Sequence, residues 1–156
     1  MDKTWILGID PGSAGGLALI GQSGTVLAYP MPDTRRDLQD GLSEFSHSIR
    51  FAYVEKVRSS PKMGVVSAFT FGCNYERVLM LCTCLYIPFE EVTPGTWQKG
   101  FALKKSRGLG LNPTEKKNDH KRLAQELFPK LKVTHAIADA LLIAEYGRRL
   151  NNGGLR

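Results

Sequence analysis

The pattern of apolar and polar positions divides the first part of the chain into three short strands. Apolar runs over 5–9 and 16–20 lead into the turn sequences Asp-Pro-Gly and Gly-Gln-Ser-Gly, and together they predict a β-hairpin. A third run over 25–29 stops at Pro30 and Pro32. We therefore expect the chain to open with three antiparallel strands.

The rest of the chain alternates helical and strand patterns. Leu38, Leu42, Phe45 and Ile49 are spaced four, three and four residues apart, which predicts an amphipathic helix over 35–49. The further predicted elements are a strand at 51–54, a long helix from about 64 to 85, a strand at 88–92, a short helix at 94–101, a helix at 114–127 with Pro113 as its first residue, and a helix at 134–150 capped by Thr134. Five strands with intervening helices favour an α/β fold with a mixed five-stranded sheet flanked by helices.

Length and composition are consistent with a single unit. The 156 residues, 42% of them hydrophobic, suffice for one substantial core, and we assign 1–150 to one domain and 151–156 to a flexible tail. We see no apolar run long enough to cross a membrane and no signal segment, so we expect a soluble, intracellular protein. The three cysteines lack companion metal ligands, and we expect reduced, buried thiols.

Positive charge is concentrated in one stretch. Residues 99–132 contain ten Lys or Arg and three Asp or Glu, a net charge of +7, which leaves −1 for the rest of a chain whose total is +6. Such a stretch predicts binding to a polyanion. An ordinary solvated helix face fits the charge equally well, so charge alone leaves both interpretations open.

Two predicted strands end in a carboxylate. The strand at 5–9 runs into Asp10, and the strand at 51–54 runs into Glu55. If these strands are parallel neighbours, both side chains lie at the carboxyl edge of the sheet, where open α/β folds bind ligands. A divalent cation would keep both acids ionised, and oxygen ligands favour magnesium or manganese. Singly, each acid fits a turn or loop residue; together they favour a metal site.

The last predicted helix carries two more candidate ligands. His135 and Asp139 are four residues apart and share one helix face. The helix dipole would explain Asp139 alone, and capping or packing would explain His135 alone. However, Asp139 is surrounded in sequence by Ala, Ile and Leu, where an unpaired carboxylate would be costly to bury. We therefore expect Asp139 to join the cation site, and His135 could point at the same ion.

These motifs resemble those of the RuvC-type Holliday junction resolvases, which belong to the ribonuclease-H-like superfamily. The resemblance rests on Ile9-Asp10-Pro11-Gly12, Val54-Glu55, and His135-Ala-Ile-Ala-Asp139-Ala-Leu, which occur in the family's order. The stretch from Ser67 to Gly72 is similar to the start of that family's dimer and junction-contacting helix. The four-residue spacing of His135 and Asp139 is closer to phage and plastid members than to many bacterial members, whose last two ligands are three residues apart.

The resemblance implies a homodimeric DNA endonuclease that nicks a four-way junction with two Mg²⁺ ions per active site, with Mn²⁺ also possible. It implies Asp10, Glu55 and Asp139 as metal ligands and His135 as a ligand or proton handler. Lys117 and Lys121 share a helix face, and we expect one of them to neutralise the scissile or a neighbouring phosphate.

Further residues are predicted to contact DNA. They are Arg58, Lys62, Phe69, Phe71, Lys99, Lys104, Lys105, Arg107 and Lys116. For Phe69 we favour stacking on an unpaired base at the junction centre over core packing. Trp5 and Trp97 are interpreted as structural.

Other interpretations stay open on the sequence. A Gly-Ile-Asp-x-Gly hairpin also opens actin-like phosphotransfer folds, but these need two lobes. A non-catalytic junction-binding protein would share the motifs, as would a ribonuclease-H-like nuclease acting on other branched DNA or on RNA/DNA hybrids. We expect no membrane partner and a location in phage-infected or bacterial cytoplasm, or in an organelle after removal of a transit peptide.

Overall fold

The five predicted strands form one mixed sheet in a computed structural model that describes residues 4–101, 103 and 112–153. The strands are β1 Trp5–Asp10, β2 Gly16–Gly21, β3 Val26–Pro30, β4 Ile49–Glu55 and β5 Phe89–Val92. Their order is β3-β2-β1-β4-β5. The first three strands are antiparallel, whereas β4 is parallel to β1 and β5 is parallel to β4. The predicted fold class is therefore confirmed.

Helices cover both faces of this sheet. They are α1 Arg35–Phe45, α2 Val65–Cys84, α3 Pro94–Lys99, α4 Pro113–Leu127 and α5 His135–Asn151. One apolar core lies between the sheet and α3, α4 and α5, and the other lies between the sheet and α1 and α2. Side chains of β1 alternate between the two: Ile6 enters the α5 core, and Leu7 and Ile9 enter the opposite core.

Helix α5 packs unusually close to the central strands because glycines face it. A Cβ atom at Gly8 would lie 2.3 Å from the carbonyl oxygen of Ala140 and 2.3 Å from the amide nitrogen of Ala144, and one at Gly16 would lie 2.7 Å from the carbonyl oxygen of Ala136. Backbone therefore meets backbone along this contact. The α5 residues at these contacts are Ala136, Ala140 and Ala144.

Two local predictions need correction. The helix predicted over 35–49 ends at Phe45, a 3-10 turn covers Ser46–Ser48, and Ile49 opens β4 opposite Trp5. The β-branched and aromatic residues that follow favour a strand, and sheet pairing overrides the helical spacing. At α4, by contrast, Pro113 is the first residue as predicted. Thr134 is the N-cap residue of α5, but its side chain makes no capping bond.

The cysteine prediction is wrong for two of the three residues. Cys82 is buried, whereas Cys73 and Cys84 are exposed, and all three are free. Only one narrow stripe of α2 faces the core, because this helix lies at the surface of the sheet. Within the described part of the chain, no helix is long and apolar enough to cross a membrane. The tail over 151–156 stays a prediction, since 154–156 lie outside the described residues and α5 includes Asn151.

The α5 contact predicts a clear difference between two glycine substitutions. Gly8→Ala should destabilise the protein by roughly 1–3 kcal/mol or more, because the new methyl group would have to displace the α5 backbone. Gly41→Ala is the matched control: it lies within α1 with nothing within 4 Å of its added Cβ, and should stabilise by up to about 1 kcal/mol. Urea unfolding of both variants measures this, and equal effects would contradict the close packing.

Candidate active site

Asp10 and Glu55 are neighbours at the carboxyl edge of the sheet. Ile9 pairs with Val54 in the parallel β1–β4 ladder, so each acid is the next residue on its strand. Side chains alternate along both strands, which directs the two acids to the α5 face, as it does Ile6 and Tyr53. The predicted meeting of two strand-end carboxylates is thus present in the fold.

Asp139 reaches the same place from α5. The first turn of this helix lies beside the start of β2, where a Cβ on Gly16 would approach the Ala136 carbonyl. The charge of Asp139 raises the pKa of both Asp10 and Glu55, which shows that the three carboxylates share one electrostatic environment. Three separated stretches of sequence therefore supply one acidic cluster.

The turn after β1 is shaped around the Asp10 side chain. The Gly12 amide donates to Asp10 Oδ1 over 3.3 Å. A Cβ on Gly15 would lie 2.6 Å from Asp10 Cγ and 2.8 Å from its Oδ1, so a larger residue there would displace the carboxylate. The glycines of this turn thus keep the space in which Asp10 lies.

Burial and mutual repulsion disfavour ionisation of this cluster. Burial raises the pKa of Asp10 to about 6, with Asp139 adding to the effect and Lys117 opposing it. Burial also raises the pKa of Glu55 to about 7, assisted by the charge of Asp10 and opposed by the Trp97 hydrogen bond and by Lys116. Near neutral pH, a bound cation would therefore favour the ionised form of these acids.

Two ring side chains that the sequence analysis did not place in the site contact the acidic cluster. Trp97 Nε1 donates to Glu55 Oε1 over 3.0 Å, and His120 Nδ1 lies 2.7 Å from Asp139 Oδ1. Trp97 is buried as expected of a structural residue, but its indole N–H also serves the site. A signal for His120 exists in the sequence: with Ala124 and Leu127 it forms the i, i+4, i+7 stripe of an otherwise polar helix.

His135, which the sequence analysis offered as a fourth metal ligand, contacts Asn118 and not Asp139. Its side chain is exposed, and its Nε2 lies 2.9 Å from Asn118 Oδ1. The imidazole that touches Asp139 is instead that of His120. Of the two candidate lysines, Lys117 is close enough to Asp10 to lower its pKa. Whether His135 and Lys121 act in the site remains a prediction.

Most of the predicted DNA contacts are exposed where the structure describes them. Arg58, Lys62 and Lys99 are exposed, and Lys116 is half-buried. Phe69 is 74% exposed, whereas Phe71 is half-buried in a cavity shared with Arg58. Lys104, Lys105 and Arg107 lie outside the described residues.

Comparison with solved structures identifies the fold. A structure of Thermus thermophilus RuvC in complex with a Holliday junction substrate has a TM-score of 0.59 and 17% sequence identity to this chain, with 97% of each chain covered. The chain has the RuvC fold. Another Thermus thermophilus RuvC structure gives a TM-score of 0.56 at 17% identity and covers 96% of this chain and 97% of its own. No protein-family model and no curated protein sequence matches the chain.

The acidic residues of this RuvC fold fit a hard divalent cation. Carboxylate oxygens are the ligands that Mg²⁺ prefers, and the crowding of three acids is relieved by positive charge. Within the described residues, no three His, Cys, Asp or Glu side chains already stand in the arrangement of a metal cluster. Glu55 Oε2 and Asp139 Oδ2 accept no hydrogen bond from the described residues, so each acid keeps one oxygen for a cation.

The raised pKa values predict a stability that falls as pH rises. The fold binds the Asp10 proton more tightly than the unfolded chain does, so stability is lost between about pH 4 and the folded pKa of about 6. In chelator at pH 8, Asp10→Asn should therefore be more stable than wild type by about 2–3 kcal/mol, and this gain should shrink toward pH 4.

Denaturant unfolding at several pH values measures this difference. Asp33→Asn is the matched control, because Asp33 is exposed and is not among the charges that shift the pKa of Asp10 or Glu55. A gain for Asp10→Asn that does not change with pH would contradict the assigned electrostatics.

Proposed function

We propose that this protein is a metal-dependent DNA endonuclease that cuts four-way DNA junctions as a homodimer. The observation that carries the proposal is the gathering of Asp10, Glu55 and Asp139 at one sheet edge in a chain with the RuvC fold. A solved protein of that fold is in complex with a Holliday junction substrate. The positive stretch over 99–132 adds the charge that a DNA ligand requires.

Asp10, Glu55 and Asp139 would hold two Mg²⁺ ions, with His135 as the fourth side chain, and Mn²⁺ could replace Mg²⁺. When bound, such ions supply activation of the attacking water and stabilisation of the leaving 3′ oxygen. The protein itself keeps the acids partly buried, which strengthens their electrostatic interactions. Ionisation of these acids near neutral pH also couples cation binding to proton release.

Lysines of α4 are suited to neutralise a phosphate at this site. Lys117 lowers the pKa of Asp10 and Lys116 lowers that of Glu55, so both cations lie near the acids. A phosphodiester entering the cluster would bring further negative charge, which a nearby ammonium group stabilises as charge develops in the transition state. These observations favour Lys117 over Lys121 as the catalytic lysine.

The start of α2 offers the side chains for junction contact and self-association. Val65, Val66 and Phe69 are 87%, 80% and 74% exposed, which is unusual for large apolar residues on one helix. Phe69 would stack on an unpaired base, and the neighbouring apolar surface would meet a second copy of the chain. Two copies related by a two-fold axis would place one acidic cluster on each of two symmetric strands.

A panel of substrates tests the proposal directly. With Mg²⁺, a synthetic four-way junction should be nicked, while linear duplex and RNA/DNA hybrid should not be. Asp10→Asn should abolish nicking and still bind the junction in a gel shift, because it removes a metal ligand and not a phosphate contact. The control is Asp33→Asn, which should cut at the wild-type rate.

The outcomes separate the remaining interpretations. Cleavage of the hybrid alone would indicate a ribonuclease and contradict junction resolution. Junction binding by wild type with no cleavage in Mg²⁺ or Mn²⁺ would indicate a non-catalytic binding protein. A protein–junction complex whose molecular mass corresponds to one bound chain would contradict the homodimer.

The two lysines should respond differently to neutralisation. Lys117→Met should slow junction cleavage by about 100-fold with little loss of binding, because the missing charge acts mainly on the transition state. Lys121→Met, one helical turn away, is the matched control and should change the rate by less than about threefold. Single-turnover cleavage rates and gel-shift affinities measure both effects. The reverse ranking would assign the catalytic role to Lys121.

A further inference from the structure

Each of two acids in the cluster is held by a buried ring nitrogen. Glu55 Oε1 accepts from Trp97 Nε1 over 3.0 Å, and Asp139 Oδ1 lies 2.7 Å from His120 Nδ1. Trp97 has no exposed surface, and His120 is 4% exposed. An ionised carboxylate only accepts hydrogen bonds, so His120 Nδ1 is the donor in this contact whenever Asp139 is ionised. These bonds are therefore shielded from competition with water.

The two rings also touch each other. Their centroids are 5.4 Å apart and their planes meet at 69°, an edge-to-face contact. Trp97 belongs to α3 and His120 to α4, whereas the acids belong to β4 and α5. A continuous path thus runs from Glu55 through both rings to Asp139. Because Trp97 and His120 are both buried and in contact, a shift of either ring would disturb the other ring and the carboxylate that it contacts.

We propose that Trp97 and His120 are positioning residues that act as one unit, fixing Glu55 and Asp139 so that each presents its second oxygen to a shared divalent cation. The inference rests on the proposed metal-dependent function. Side chains that hydrogen-bond metal ligands set their orientation, and losing one typically costs 10–100-fold in metal affinity. Ordinary core packing predicts a different result: loss of folding stability with unchanged affinity for the cation.

Variants of His120 separate these two roles. His120→Phe keeps a ring against Trp97 and removes the N–H, whereas His120→Asn places an amide nitrogen at the same distance from the backbone as Nδ1. Mn²⁺ affinity is measured at pH 8 without DNA, from the free Mn²⁺ signal in electron paramagnetic resonance. We expect His120→Phe to bind Mn²⁺ about 10–100-fold more weakly and His120→Asn to recover most of the loss.

Trp97→Phe tests the other half of the pair. It keeps an aromatic ring and removes the indole N–H that donates a hydrogen bond to Glu55, so the same 10–100-fold loss of Mn²⁺ affinity is expected. Trp5→Phe is the matched control, because Trp5 contacts Phe45 by a ring edge in the opposite core and should leave Mn²⁺ affinity unchanged. The double variant of Trp97 and His120 should lose less affinity than the product of the two single losses, because either change releases the shared unit.

Thermal melts confirm which variants are folded at the temperature of measurement. The inference is overturned if folded Trp97→Phe and His120→Phe bind Mn²⁺ within twofold of wild type, or if His120→Asn recovers nothing. If wild type cuts junctions but the variants keep wild-type Mn²⁺ affinity, this inference is overturned and the proposed function stands. Wild type that binds no Mn²⁺ would overturn the proposed function and this inference together.

Discussion

The close approach of α5 to β1 is the constraint on which the acidic cluster depends. Gly8 leaves no side chain between the strand and the helix, so the α5 backbone lies directly on the central strand. With the helix at that distance, Asp139 comes near the strand-end acids and changes their pKa values. A bulkier interface would move the helix outward and separate its carboxylate from the two on the sheet. The small residues thus matter to the site as well as to packing.

Helix α4 balances the charge that this arrangement concentrates. The buried stripe of α4 places His120 against Asp139. One helical turn before His120, Lys116 and Lys117 lie near Glu55 and Asp10 and lower the pKa of these acids. The capping box of Asn112 with Glu115 fixes where the helix starts, and hence which residues face inward. One helix therefore supplies both a hydrogen-bonding ring for Asp139 and positive charge near acids whose ionisation burial disfavours.

Sequence patterns predicted the features of the site that depend on residues close together along the chain. Strand alternation and the parallel pairing of β1 with β4 suffice to place Asp10 beside Glu55. The position of β4 does not follow from a short connection, because the chain passes β2 and β1 on its way from β3 to β4. The stripe of His120 with Ala124 and Leu127 indicates that the ring faces inward, but its contact with Asp139 joins residues 19 positions apart on different helices, and no local spacing predicts that contact. For His135 the four-residue spacing predicted a shared face, but the first residue of a helix has room to turn its side chain outward, and here it bonds Asn118.

The three acids differ in how firmly the described residues hold them. Glu55 and Asp139 each have one oxygen bonded to a buried ring at 3.0 Å or less, whereas Asp10 receives a 3.3 Å bond from the Gly12 amide at the long end of the usual range. Asp10 also raises the pKa of Glu55, and Asp139 raises the pKa of both, so the three charges repel one another. Two anchored carboxylates beside a more loosely held one would suit the proposed metal site, because Asp10 could adjust its position to a bound cation. Positions already fixed for Glu55 and Asp139 would limit the ordering cost of cation binding, and a bound cation would relieve the repulsion on Asp10 without protonating it.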